Sequence, residues 1–185
     1  LVKKQLKKIN GRFKKLSASR QEFFDQDALT NPFSDTRMLA GDPKKQVKSI
    51  LAGIDIDTAE LMMARYLSNH SGKEIDLVLS HHPLGKALAD LSDVMHLQAD
   101  VLAQYGVPIN IAEALMRPRI SEVARGILPI NHNKPVDAAK LLDLALMCAH
   151  TPADNLAAQF LDKKIQKDKP ETLSEIIKSL KEISE

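Results

Sequence analysis

His81 and His82 are adjacent, preceded by Ile75-Asp76-Leu77-Val78-Leu79-Ser80 and followed by Pro83. Neutral imidazole nitrogen is a common donor to zinc and other divalent first-row ions, so this doublet can do metal chemistry. A second polar group, His150-Thr151-Pro152-Ala153-Asp154, follows the apolar run Leu144 to Ala149. Its carboxylate, Asp154, comes four residues after His150. Imidazole and carboxylate together make a mixed N/O donor set suited to zinc, manganese, iron or nickel. A carboxylate shared between two cations would hold them close together, as in two-metal hydrolytic sites. A third polar group, Asp55-Ile56-Asp57, follows Ser49 to Ile54. The plainer alternatives are a polar turn at His81-His82 and a helix cap at Thr151 or Asp154.

The elements that must position these residues are legible as alternating patterns. Residues 49–54, 75–80 and 144–149 read as apolar strands. Residues 58–69, 92–105, 113–127, 137–142, 153–164 and 172–183 read as helices, with Pro118 interrupting the third and Asp57 or Thr58 capping the first. Val107-Pro108-Ile109 reads as a short extended piece. Strands alternating with helices imply right-handed crossovers and a mainly parallel sheet flanked by helices, an α/β fold. In such sheets ligands bind at the C-terminal ends of the strands, and all three polar groups lie there. Pro83 biases His82 towards an extended backbone and stops regular continuation of the strand.

The remaining chemistry-bearing residues carry less weight. His70 reads as a surface turn, His96 as a helix residue and His132 as a loop residue. His150 reads either as a ligand or as a residue that orients one. Cys148, the single cysteine, lies in an apolar run and reads as a buried structural thiol. The sequence has no glycine-rich phosphate loop and no serine-centred nucleophile elbow.

Composition bounds the function. With 185 residues, 44% hydrophobic and 27% charged, the chain can bury a sizeable core. Tryptophan is absent and aromatics make up 4%, which argues against a base-stacking nucleic-acid platform. No apolar run approaches the length of a membrane span, and no signal peptide is recognisable. One cysteine suits a reducing, cytoplasmic setting. The net charge of +2 hides an asymmetry: residues 1–20 carry eight basic and no acidic residues, and the rest is −6. Within that stretch Val2, Leu6, Ile9, Phe13 and Leu16 make one face of a basic amphipathic helix. Docking on its own domain or on a partner subunit is the favoured role, ahead of a nucleic acid or an anionic surface. Residues 1–45 are therefore expected to be this helix and a linker, and 46–185 the α/β domain. The chain begins at Leu1 rather than Met and is expected to be a fragment of a longer protein.

Three segments carry a resemblance to a known family. Ile50-Leu51-Ala52-Gly53-Ile54-Asp55, then Asp76-Leu77-Val78-Leu79-Ser80-His81-His82-Pro83, then His150-Thr151-Pro152-Ala153-Asp154 occur in the order of Nif-three-like proteins. These are also known as GTP cyclohydrolase type-one, class-two homologues. The resemblance covers about residues 46–165, and the SHHP segment and HTxxD pattern are its most specific parts. It implies an α/β fold with a dinuclear metal centre and a ring-shaped homo-oligomer built from dimers. It makes His81 and His82 metal ligands and Asp154 the carboxylate shared between two divalent ions, with His150 adjacent. The family completes its site with a C-terminal His and Glu. No histidine follows His150 here, so the resemblance implies a site this chain does not complete.

Two functions compete on these grounds. One is a metal-dependent, hydrolase-like enzyme acting on a nucleotide or phosphate ester. The other is a non-catalytic metal-binding regulator, chaperone or scaffold.

Overall fold

The computed structural model describes residues 2–183. The elements run α1 (Val2–Phe13), α2 (Ala18–Glu22), a 3-10 turn (Gln26–Leu29), β1 (Thr36–Ala40), β2 (Ile50–Gly53) and α3 (Thr58–His70). They continue with β3 (Leu77–Ser80), α4 (Gly85–Ala89), α5 (Leu91–Val94), α6 (His96–Gln104) and α7 (Ile109–Ile127). The last are α8 (Lys134–Leu141), β4 (Leu146–Ala149), α9 (Thr151–Asp168) and α10 (Leu173–Lys181). The chain divides into two compact units, one ending at His150 and one beginning at Thr151.

The first unit holds the sheet, in the order β1-β4-β3-β2. β2, β3 and β4 are parallel, and β1 joins β4 antiparallel. The fold is therefore α/β with a mostly parallel sheet, as the alternating pattern implies. β3 is central and nearly continuously buried, with Leu77, Val78 and Ser80 below the surface. Such strands read as unbroken apolar runs because helices or loops cover both faces.

Leu61 and Ala64 of α3, Val136 and Ala139 of α8, and Val78 and Leu146 of the central strands form one buried cluster with Ile56 and Leu144. α3 starts where the sequence says it must. Asp57 and Glu60 form a capping box, the Glu60 side chain accepting from the Asp57 N–H at 2.8 Å. At the other end of the same layer, the Arg65 guanidinium donates to the Leu142 carbonyl and, at 2.7 Å, to the Asp143 carbonyl. That clamp fixes the turn between α8 and β4, where Asp143 has a positive φ of 51°.

Three sequence expectations need correction. Residues 21–46 are not only a linker: they supply β1, whose residues Thr36 to Ala40 pair with Leu146 to Ala149. Of the expected extended piece Val107-Pro108-Ile109, Pro108 is extended, but Ile109 already opens α7. Pro118 does not interrupt α7, which runs through it to Ile127. A proline mid-helix removes one backbone hydrogen bond, and the α6–α7 packing outweighs that loss.

α1 docks on its own unit. Gln5 and Lys8 reach Asp100 of α6, Asn10 donates to the Leu29 carbonyl at 3.1 Å, and Phe13 packs on Phe24 with ring centroids 5.0 Å apart.

In the second unit, α9 and α10 are joined through Asp168. Its carboxylate accepts from the Ser179 hydroxyl at 2.6 Å and pairs with Lys164, which also meets Glu182 at 3.0 Å. Thr172 caps α10 by accepting from the Glu175 N–H at 3.3 Å. No described helix is long and apolar enough to cross a membrane.

Candidate metal centre

The parallel register aligns the three strand ends. Gly53 is level with Ser80, and Ser80 with Cys148. Two residues further on, the same register puts Asp55, His82 and His150 side by side. The two segments stay joined past the strands, because the His81 N–H donates to the Gly53 carbonyl at 2.8 Å and the His82 N–H to the Ile54 carbonyl at 2.9 Å.

Each imidazole has its own support. The buried Ser80 hydroxyl donates to the His82 carbonyl at 2.7 Å, which fixes the corner before Pro83. His82 Nδ1 lies 2.6 Å from Asp55 Oδ1. The backbone N–H of His150 donates to Thr36 Oγ1 at 3.1 Å, so β1 helps to place it. Cys148, two residues earlier, is fully buried, and its thiol donates to the Asp35 carbonyl. Burial pushes that thiol above its ordinary pKa, which suits a structural residue rather than a nucleophile.

The result is a cluster of three rings. Centroids are 5.1 Å apart for His81 and His82, 4.7 Å for His81 and His150, and 5.8 Å for His82 and His150. A ring nitrogen of His81 lies within 4.8 Å of one of His150. His82 and His150 line a groove of about 870 Å³ with Asp55, Asp57, Glu60, His132 and Lys134. Gly85 ties the far wall of this groove to the doublet. Its N–H donates to the His132 carbonyl at 2.8 Å, and its φ of 52° favours glycine. A Cβ there would come within 2.5 Å of Val136.

His70 and His96 lie outside the cluster. His70 stacks on Tyr66 at 4.1 Å in the last turn of α3. His96 opens α6. Asp154 stands in the first turn of α9, in the second unit. Asp57 is committed to the α3 cap and to Lys134, 2.8 Å away; those contacts hold its carboxyl below the ordinary value. His132 and Lys134, given no site role by sequence, face the groove, brought there by the tie through Gly85. His150, left open between ligand and orienter, is part of the imidazole cluster.

The donor set fits a divalent cation chemically. His81 and His150, both partly buried, bring ring nitrogens within reach of one ion, and imidazole is the nitrogen donor that zinc, iron and nickel favour; the His82 ring packs beside them.

The chain is similar to a solved structure described as a NIF3 superfamily protein from Sphaerobacter thermophilus. The TM-score is 0.65 and the identity 22%, over 81% of this chain and 54% of that one. The chain has the NIF3 superfamily fold. It spans about half the length of that NIF3 superfamily protein. No family model matches the sequence, and no curated protein matches it. The sheet order puts β2, β3 and β4 side by side, and thereby Asp55, His82 and His150 at one rim.

Proposed function

We propose that this chain is a Nif-three-like metal-binding protein in which His81, His82 and Asp154 ligate two divalent ions. Zinc, manganese, iron and nickel all suit such donors. His150 is assigned as a further nitrogen donor beside His81. The observation that carries this reading is the clustering of three imidazoles, supplied by two adjacent strand ends, at the rim where α/β sheets bind ligands. Asp154 follows His150 by four residues in the first turn of α9 and is the acidic residue of the HTxxD pattern. The test is elemental analysis after equilibrium dialysis against each metal. The wild type is expected to retain metal, and His81→Ala/His82→Ala to lose most of it. Equal retention would show that the doublet is not the site.

Hydrolase-like chemistry on a nucleotide or phosphate ester is the proposed activity. A divalent ion bound at this rim would lower the pKa of a bound water towards neutrality. The groove has the volume of a small-molecule site. A second reading, a non-catalytic regulator, chaperone or scaffold, has its own support. Asp55, Asp57 and Glu60 line that groove against one lysine, Lys134, which is paired with Asp57, a balance that attracts cations and opposes phosphate. Turnover of a nucleotide or phosphate ester by the metal-loaded protein, abolished in Asp154→Asn, would defeat the second reading.

Homo-oligomerisation is proposed for the first unit. β2 is an edge strand with Ile50 53% exposed, and Met62, Met63 and Tyr66 of neighbouring α3 are also exposed. An open strand edge and exposed large apolar side chains are common at protein contacts. Light scattering should give a multiple of the 20.5 kDa chain mass, and a monomer across the micromolar range would contradict it. A cytoplasmic location is proposed from the single, reduced and buried cysteine.

A further inference from the structure

We propose that Asp55 is a positioning residue that fixes the tautomer of His82 and presents Nε2 as the donor. This rests on the metal-centre reading. Asp55 Oδ1 lies 2.6 Å from His82 Nδ1. An ionised carboxylate only accepts, so Nδ1 carries the proton, and a neutral ring protonated there has its lone pair on Nε2. The contact follows from the fold. Asp55 comes two residues after Gly53, His82 two after Ser80, and Gly53 and Ser80 are register partners. Two backbone hydrogen bonds, from the His81 and His82 N–H groups to the Gly53 and Ile54 carbonyls, hold the two segments together up to the pair.

Asp55 is not buried, since 83% of its side chain is exposed, so packing does not hold it there. Nor is it an ordinary cap: Asp57, two residues later, caps α3 and pairs with Lys134. Asp55 is thus free of structural duty at the helix start, and its carboxylate is engaged with the imidazole. A carboxylate behind a ligating histidine orients the ring and raises its basicity as a ligand.

Two measurements on the full chain test this. The first is a long-range proton–nitrogen correlation of the His82 ring in metal-free protein, in alkaline solution where imidazole is neutral. The wild type should show the Nδ1–H form, and Asp55→Ala the Nε2–H form that a free side chain favours. The second is zinc affinity by chelator competition for wild type, Asp55→Ala and His82→Ala. Asp55→Ala should bind zinc about 10–100-fold more weakly, and His82→Ala more weakly still. If Asp55→Ala binds as the wild type while His82→Ala fails, Asp55 has no such role and the metal centre stands. If Asp55→Ala fails as fully as His82→Ala with the tautomer unchanged, Asp55 is itself a ligand, which overturns the positioning role. If the wild type binds no zinc, the metal-centre reading falls together with this one.

Discussion

At the scale of single residues, the corner at His82 is held by small polar contacts rather than by packing. Ser80 is fully buried and satisfies its hydroxyl on the His82 carbonyl, a local bond that turns the chain out of the strand. Such a bond is worth about 1 kcal/mol net, yet it decides where two imidazoles stand. The doublet was legible in the sequence because it ends an unbroken apolar run. The distinction between Asp55 and Asp57 was only half legible. Asp57 and Glu60 spell a capping box in the sequence, which commits Asp57 to α3. Nothing local gives Asp55 its partner, since that partner lies 27 residues away and is reached only through the register of β2 on β3. The same holds for His150, whose neighbours come from the pairing of β4 with β3 and of β1 with β4.

At the scale of elements, a charge network around the buried Arg37 ties the N-terminal segment to the sheet. Arg37 of β1, with 4% of its side chain exposed, donates to Asp25 at 2.7 Å and Asp27 at 2.9 Å, and lies 3.7 Å from Asp90. Lys86 of α4 reaches Asp25 at 2.6 Å. Burial alone would raise the Asp25 carboxyl, but the hydrogen bonds from Lys86 and Arg37 outweigh it and hold it below the ordinary value. A lowered folded-state pKa means that the folded form binds fewer protons than the unfolded form near that pH. The stabilisation is therefore full above about pH 4, the unfolded value, and is lost as pH falls through the folded value. Asp25→Asn should cost about 1–3 kcal/mol at pH 7 and should flatten the acid limb of the stability curve. Urea midpoints at pH 7 and pH 3 measure both; an unchanged midpoint at pH 7 would show the network to be energetically idle. The same residues make β1 illegible in the sequence. A strand that carries an arginine between turn signals has no apolar alternation to announce it, and its pairing is set by Cys148 and Ala149 far along the chain. Pro118 misled for the opposite reason, because tertiary packing overrode a local breaker.

At the scale of the whole chain, the basic segment at the N-terminus is partly neutralised from within. Lys4 and Lys8 lie 3.5 and 3.3 Å from Asp100, pairs of the exposed kind that contribute little each. With Gln5 they dock α1 on α6. The fold class was readable because alternating strands and helices allow few topologies. Strand order was not readable, and strand order is what makes a site of residues drawn from three separate stretches. Every role proposed for that rim requires the imidazole cluster to hold metal. Anomalous X-ray scattering from zinc-loaded crystals, recorded on both sides of the zinc edge, tests it most directly. The expected result is a peak within about 2.0–2.1 Å of ring nitrogens of His81 and His82. Full zinc loading with every peak elsewhere, or no peak at all, would contradict it.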